Sequence, residues 1–297
     1  MFENRTPLVF FGSDQIAANT IKNLSKQSIQ PQLIVTSEDK PVGRKQTVTP
    51  PPPKKQAELA GIKVHQPPKL KGKHLETTQS LLKSYRDGIF VVVSYGQILP
   101  SEIIDLPRFG CLNLHFSLLP RWRGPAPMTN TILYDHSAGL SVIKMDTQID
   151  HGPILSSQEI TATPWPPSIT QLREELTSEG GRLLATTIHK WLNGQITPQE
   201  QDHSRATYCR KITKKDAELD PSDEPAFNYR KILAYQEWPR PHFFINYQGK
   251  RMRIIVTEAE LTPQKELLIK RIIPEGKKEM DWQEFKQRYP LIDSPFS

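Results

Sequence analysis

Apolar runs too short to cross a membrane, yet too uninterrupted for half-exposed strands, constrain this chain most. PLVFFGSDQIAANTIKNL, beginning at Pro7, reads as a buried strand, a glycine turn and an amphipathic helix. QLIVTS from Gln32 and GIFVVVSYG from Gly88 supply two more strands, the second rich in β-branched residues. Such strands alternating with helical stretches predict an α/β fold, Rossmann-like, with a mostly parallel sheet covered by helices on both faces. CLNLHF from Cys111 and LSVIKM from Leu140 read as further strands. From Ser168 the periodicity becomes helical. Ser168 and Gln171 form a capping box, Leu172, Leu176, Leu183, Leu184, Ile188 and Trp191 make an apolar stripe, and Gly194 ends the helix.

At 297 residues the chain exceeds one ordinary core, so two domains are expected. The first runs over residues 1–194. Residues 195–206 are polar and without pattern, as a linker would be. Residues 207–297 carry short alternating runs, HFFINYQGKRMRIIVTEAEL and ELLIKRIIPEGKK, the texture of a small OB-like β-barrel domain. TPPPPKK, residues 49–55, is expected to be an extended loop.

The N-terminal MFENRTPLVFFGS lacks the basic, apolar and small-residue regions of a signal peptide, and no run spans a bilayer. Cys111 and Cys209 fit neither a disulfide framework nor a metal site. The expectation is a cytoplasmic protein with no membrane partner and no metal. A net charge of +7 favours polyanionic partners, nucleic acid among them.

One stretch carries chemistry. In GCLNLHFSLLPRWRGPAP, Asn113 and His115 stand two apart, on one face if the run is a strand, and a turn follows. Asp150 falls in a loop after LSVIK. Ligands of open α/β sheets bind beyond the carboxyl ends of the strands, so the three could share one cleft. That trio suits acyl-type transfer to an amine. An amide N–H and an imidazolium can stabilise the oxyanion, and a carboxylate beside the imidazole can take the proton or hold the ring charged. From spacing alone, plainer roles stay open: a structural histidine, an asparagine satisfying a loop carbonyl, an aspartate in a turn.

Asn-x-His followed by Ser-Leu-Leu-Pro, with Asp-x-x-x-Asp-x-Gly downstream, resembles the formyltransferase family that uses 10-formyltetrahydrofolate. FFGS, DKPVGRKQTVTPPPPKKQAELAGIKVHQP, VVVSYGQILP and TYCRKITKKDAELD agree with it in order. Trp122-Arg123-Gly124 points to the branch whose acceptor is a charged initiator tRNA. The resemblance implies that Asn113, His115 and Asp150 are catalytic. It also implies that Ser117, Leu118, Leu119 and Pro120 form the folate turn, and that Ile98 and Leu99 line the pterin pocket. It places RNA contact at Arg44 and Lys45 in one loop, and at Lys211, Lys214 and Lys215 in another. Phe116 replaces a usually small residue or proline, Thr129 an expected glutamine, and GRKQTV is less basic than usual. Three rivals therefore remain: a formyltransferase for a small amine such as a nucleotide-linked amino sugar, a silent RNA-binding relative, and a hydrolase releasing formate.

Overall fold

The structure, a computed structural model, describes residues 6–43, 45–289 and 296. In chain order the elements are β1 (Leu8–Phe11), α1 (Gln15–Lys26), β2 (Leu33–Val35), β3 (Lys40–Val42), β4 (Thr47–Thr49), α2 (Pro52–Ala60), β5 (Lys63–His65) and α3 (Lys73–Leu82). There follow β6 (Ile89–Val92), α4 (Ser101–Ile104), β7 (Cys111–His115), α5 (Pro127–Tyr134), β8 (Ala138–Lys144), β9 (Ile154–Ile160) and α6 (Ile169–Leu192). The chain closes with α7 (Pro225–Ala234), β10 (His242–Tyr247), β11 (Lys250–Leu261), β12 (Leu267–Pro274), β13 (Met280–Asp281) and α8 (Trp282–Arg288).

Two compact units result. The first takes residues up to Gly124, Gly139–Ile160 and Arg173–Tyr208; the second takes Pro125–Ala138, Thr161–Leu172 and the chain from Cys209.

The first unit holds a seven-stranded sheet in the order β5-β2-β1-β6-β7-β8-β9. β5, β2, β1, β6 and β7 pair in parallel, and β8 then runs antiparallel to β7. Every residue of β1 and β6 is buried, which is why both strands are apolar without alternation. Phe10 and Phe11 are fully buried, and each such side chain contributes ~1.5–3 kcal/mol. Asp14 caps α1, its carboxylate accepting from the Ala17 N–H at 3.0 Å. The expected capping box of α6 is present, with Ser168 N–H donating to Gln171 Oε1 at 3.0 Å and Gln171 N–H to Ser168 Oγ at 3.3 Å. Gly194, at φ +67°, ends it in a conformation that glycine adopts without strain.

Two expectations need correction. TPPPPKK is no extended loop throughout, because α2 starts at Pro52. Proline suits the first helical turn, where its missing N–H has no partner to lose. Nor is 195–206 a free connection: Gln199 exchanges backbone hydrogen bonds with Ile154, at 2.9 and 2.7 Å, and Gln201 is buried.

In the second unit β10, β11, β12 and β13 form an antiparallel sheet in sequence order. Along β12, Leu267 and Ile269 and, across an irregularity in the pairing with β11, Ile272 are buried with Phe243, Ile254, Trp282 and Phe285. Leu219 N–H donates to His242 O at 2.7 Å, adding one bridge at the β10 edge. Among the described residues no pairing closes β10 onto β13.

Candidate active site

β7 ends where the sheet changes from parallel to antiparallel pairing, and it carries Asn113 and His115 on one face. β8 runs against β7, which sets Lys144, at the carboxyl end of β8, opposite Leu112 rather than beside His115. Asp150 therefore does not reach the site by lying beyond a parallel strand. The loop after Lys144 brings it back along β7.

Three interactions fix the carboxylate. Asn113 Nδ2 donates to Asp150 Oδ1 at 3.1 Å, and Gly124 N–H donates to Oδ2 at 2.8 Å. His115 Nδ1 lies 3.5 Å from Oδ1. The other ring nitrogen, Nε2, is 2.9 Å from the Trp122 carbonyl oxygen, an acceptor only. Nε2 therefore carries a proton, and Nδ1 is the nitrogen that gains or loses one beside Asp150. Among the described residues the second hydrogen of the Asn113 amide has no partner, which leaves it available to an oxyanion.

The loop that delivers Asp150 is tightly built. Asp150 has φ +50°, a left-handed conformation unusual for a residue with a Cβ. A Cβ at Gly152 would come within 1.9 Å of Lys144 O, so only glycine fits there. Gln201, 5% exposed, donates from Nε2 to the carbonyls of Asp150 and Gly152 at 2.9 and 2.7 Å. Its Oε1 accepts from Arg123 Nε and a terminal guanidinium nitrogen, at 3.2 and 2.7 Å. Arg123 is itself 2% exposed and also meets His203 Nδ1 at 2.8 Å and Tyr208 Oη at 3.4 Å. Its guanidinium is an internal strut rather than a surface group. No sequence signal singled out Gln201, one of three glutamines in a polar run.

The turn after β7 is ordered from within. Ser117 Oγ donates to Arg121 O at 2.6 Å, and Ser141 Oγ donates to Ser117 O at 2.8 Å while accepting from Leu119 N–H at 3.0 Å. Ser117 and Leu119 are buried, whereas Leu118 and Pro120 are half-buried. Leu118 packs on Gly139, where an added methyl would meet its Cγ at 2.2 Å. Leu99 is 5% exposed and joins the core with Tyr95 and Ile103, while Ile98 is 78% exposed. Phe116 is buried, and Thr129 lies buried in α5 of the second unit.

Of the residues expected to meet RNA, Arg44 lies outside the described residues. Lys45 is exposed beside it, between β3 and β4. Lys211, Lys214 and Lys215 are exposed in the second unit. Burial pushes the Cys111 thiol well above its ordinary range, so it offers no thiolate nucleophile. Among the described residues no group of three His, Cys, Asp or Glu side chains is placed to hold a metal ion. No helix among them is long and apolar enough to cross a membrane.

A family model described as formyl transferase matches residues 6–188. A methionyl-tRNA formyltransferase of Caldicellulosiruptor saccharolyticus is 37% identical over 83% of this chain and 78% of its own. Another, of Hydrogenovibrio crunogenus, is 32% identical over 96% of both chains. Among solved structures, an N-formyltransferase from Helicobacter canadensis in complex with folinic acid and dTDP-3-aminofucose superposes with a TM-score of 0.62. It covers 86% of this chain and 88% of its own at 18% identity, a likeness of fold.

Proposed function

The chain belongs to the formyl transferase family, and on that premise we propose that it formylates the amino group of methionine carried on initiator tRNA, with 10-formyltetrahydrofolate as donor. One observation carries the chemical part of this reading: Asp150 holds the Asn113 amide and the His115 ring in a single cluster.

The amine attacks the formyl carbon, and negative charge gathers on the formyl oxygen. The uncommitted N–H of Asn113 stabilises that charge. The amine then loses a proton to His115 Nδ1, and Asp150 balances the imidazolium so formed. As the bond from carbon to N10 of the folate breaks, the proton passes to N10. One carbon–nitrogen bond forms, one breaks, and a proton has moved from amine to released folate. No serine or cysteine nucleophile enters.

For the donor, the turn Ser117–Pro120 and the segment at Ile98 and Leu99 would form the folate site. The Ser117 hydroxyl and much of the turn's backbone are committed to internal hydrogen bonds, which fixes the turn and leaves its apolar side chains as a wall for the flat pterin. For the acceptor, exposed lysines at positions 45, 211, 214 and 215 and the chain's positive charge support a polyanion. The two relatives described above, 37% and 32% identical, are named for methionyl-tRNA.

The test is incubation with labelled formyl donor and charged initiator tRNA, with a dTDP-linked amino sugar as competing acceptor. Label is expected on the tRNA. Label on the sugar, or on free formate alone, would overturn the assignment of acceptor.

A further inference from the structure

We propose that Gln201 is a positioning residue for this reaction. With Arg123 it locks the Asp150 loop to the Trp122–Gly124 segment, and so sets how Asp150 meets His115. The inference rests on the catalytic reading of Asp150 given above.

The amide of Gln201 is fully used, and each half serves a different segment. Its nitrogen gives one hydrogen to the carbonyl of Asp150 and the other to that of Gly152. Its oxygen takes two hydrogens from Arg123. Arg123 sits between the two residues whose backbones complete the site: the Trp122 carbonyl accepts from His115, and the Gly124 N–H donates to Asp150. The run that carries Gln201 also grips this segment directly. Trp122 N–H donates to Thr207 Oγ1 at 2.9 Å, and Arg123 N–H donates to Thr207 O at 2.9 Å.

Such a clamp answers a local need. Asp150 is a non-glycine residue in the left-handed region, a conformation that persists only where its surroundings over-determine it. Gln201 bonds the carbonyl of the strained residue and that of the glycine two places on. Neither bond involves the Asp150 carboxylate, so releasing them moves the loop without altering any group that reacts. A displacement of about 1 Å in a reacting constellation can cost up to ~10²-fold in rate.

Two variants separate the halves of the clamp. Gln201→Glu keeps an acceptor for Arg123 but removes both donors to the loop. Gln201→Met keeps the length and removes every hydrogen bond, which covers the case in which the buried carboxylate prevents folding. Rates are normalised to titrated folate-binding sites, and thermal midpoints are recorded. Both variants are expected to lower kcat by ~10–100-fold with the donor KM changed less than about two-fold. In an Asp150→Asn background the same substitution should lower kcat by less than about two-fold, because there is no longer a carboxylate to position beside His115. A wild-type kcat in Gln201→Glu, or losses that simply multiply in the double variant, would overturn the proposal and leave a structural glutamine. Should Asp150→Asn itself turn over normally, the catalytic reading fails and the positioning role with it. Should Asp150→Asn be slow and Gln201→Glu fast, only the positioning role fails.

Discussion

Asn113 and Asp150 are 37 positions apart and hydrogen-bonded, Nδ2 to Oδ1, at 3.1 Å. One oxygen of that carboxylate thus orients the amide while facing His115, and the other is held by Gly124 N–H. The two roles proposed for Asp150, aligning a donor and balancing an imidazolium, can be separated by substitution.

Asp150→Asn keeps the size of the side chain but cannot balance a charged ring. Transfer is expected to fall by the ~10²–10⁴-fold typical of lost acid–base catalysis, with donor affinity retained. Single-turnover rates beside equilibrium titration of the donor decide it. Activity within a few-fold of wild type would remove Asp150 from the chemistry.

Asn113→Ala removes the proposed oxyanion donor and also one hydrogen bond to Asp150. Since the oxyanion exists only on the way to product, kcat should drop by an amount worth ~3 kcal/mol while donor binding changes little. A raised donor KM at constant kcat would instead make Asn113 a binding residue.

Gly139→Ala probes the proposed folate turn from behind. The new methyl would meet Leu118 Cγ at 2.2 Å, so Leu118 must move. Because the clash falls on a side chain of the turn and leaves Asn113, His115 and Asp150 untouched, donor KM should rise several-fold with kcat at saturation nearly kept, the pattern of weakened uniform binding. Unchanged donor KM would detach Leu118 from the folate site.

Legibility from sequence followed the range over which physics acts. The first sheet could be read because both faces of β1 and β6 are buried, and a run such as LVFF has no other use. The long helix announced both its ends through Ser168, Gln171 and Gly194. Asn113 and His115 were visible as a pair because strand alternation alone sets them together. What failed depended on distant partners. The route of Asp150 could not be foreseen, since the antiparallel pairing of β8 shows only once Leu112 meets Lys144. Gln201 looked like any residue of a polar run until its two halves found Arg123 and the 150–152 loop. The same holds for Arg123, which resembles a surface cation in sequence and is buried in the fold.

A pH effect on stability is expected in the second unit. The hydrogen bond from Arg210, and then those from the Thr213 N–H and hydroxyl, hold the Asp216 carboxyl below its ordinary value of 3.8. A lowered folded pKa stabilises the fold above the unfolded value, and that contribution is lost as pH falls through the folded value. Arg210 is 72% exposed, so solvent screening keeps the contribution small. Asp216→Asn should therefore lower the thermal midpoint by at most roughly 2–4 °C at neutral pH. Below the carboxylate range the two proteins should melt together. A gap that stays constant into acid would assign the effect to packing rather than charge.

The choice between RNA and a small amine as acceptor turns on the exposed lysines. Lys211, Lys214 and Lys215 lie close together in sequence around a single short turn, and Lys214 and Lys215 begin its 3-10 helix. None belongs to the Asn113, His115 and Asp150 cluster or to the folate turn, so replacing all three with alanine leaves the chemistry in place. For each lysine that pairs with a phosphate of duplex RNA, its removal should flatten the dependence of log affinity on log salt by roughly 0.9. On a single-stranded end the change should be about 0.7. A triple variant in which all three lysines meet phosphate should lose a slope of about two to three. The measurement is initial rate against charged-tRNA concentration at several ionic strengths, beside donor titration. KM for tRNA should rise, most at low salt, with donor affinity unchanged. Lys45→Ala tests the hairpin between β3 and β4 in the same way, as a single phosphate pairing. An amino-sugar nucleotide carries only two phosphates and would be held by a compact site, so its use should be insensitive to all four lysines. Wild-type tRNA kinetics and salt slope in both variants would take these segments out of the acceptor site, and turnover of the amino sugar by the same preparations would then identify the small amine as the substrate.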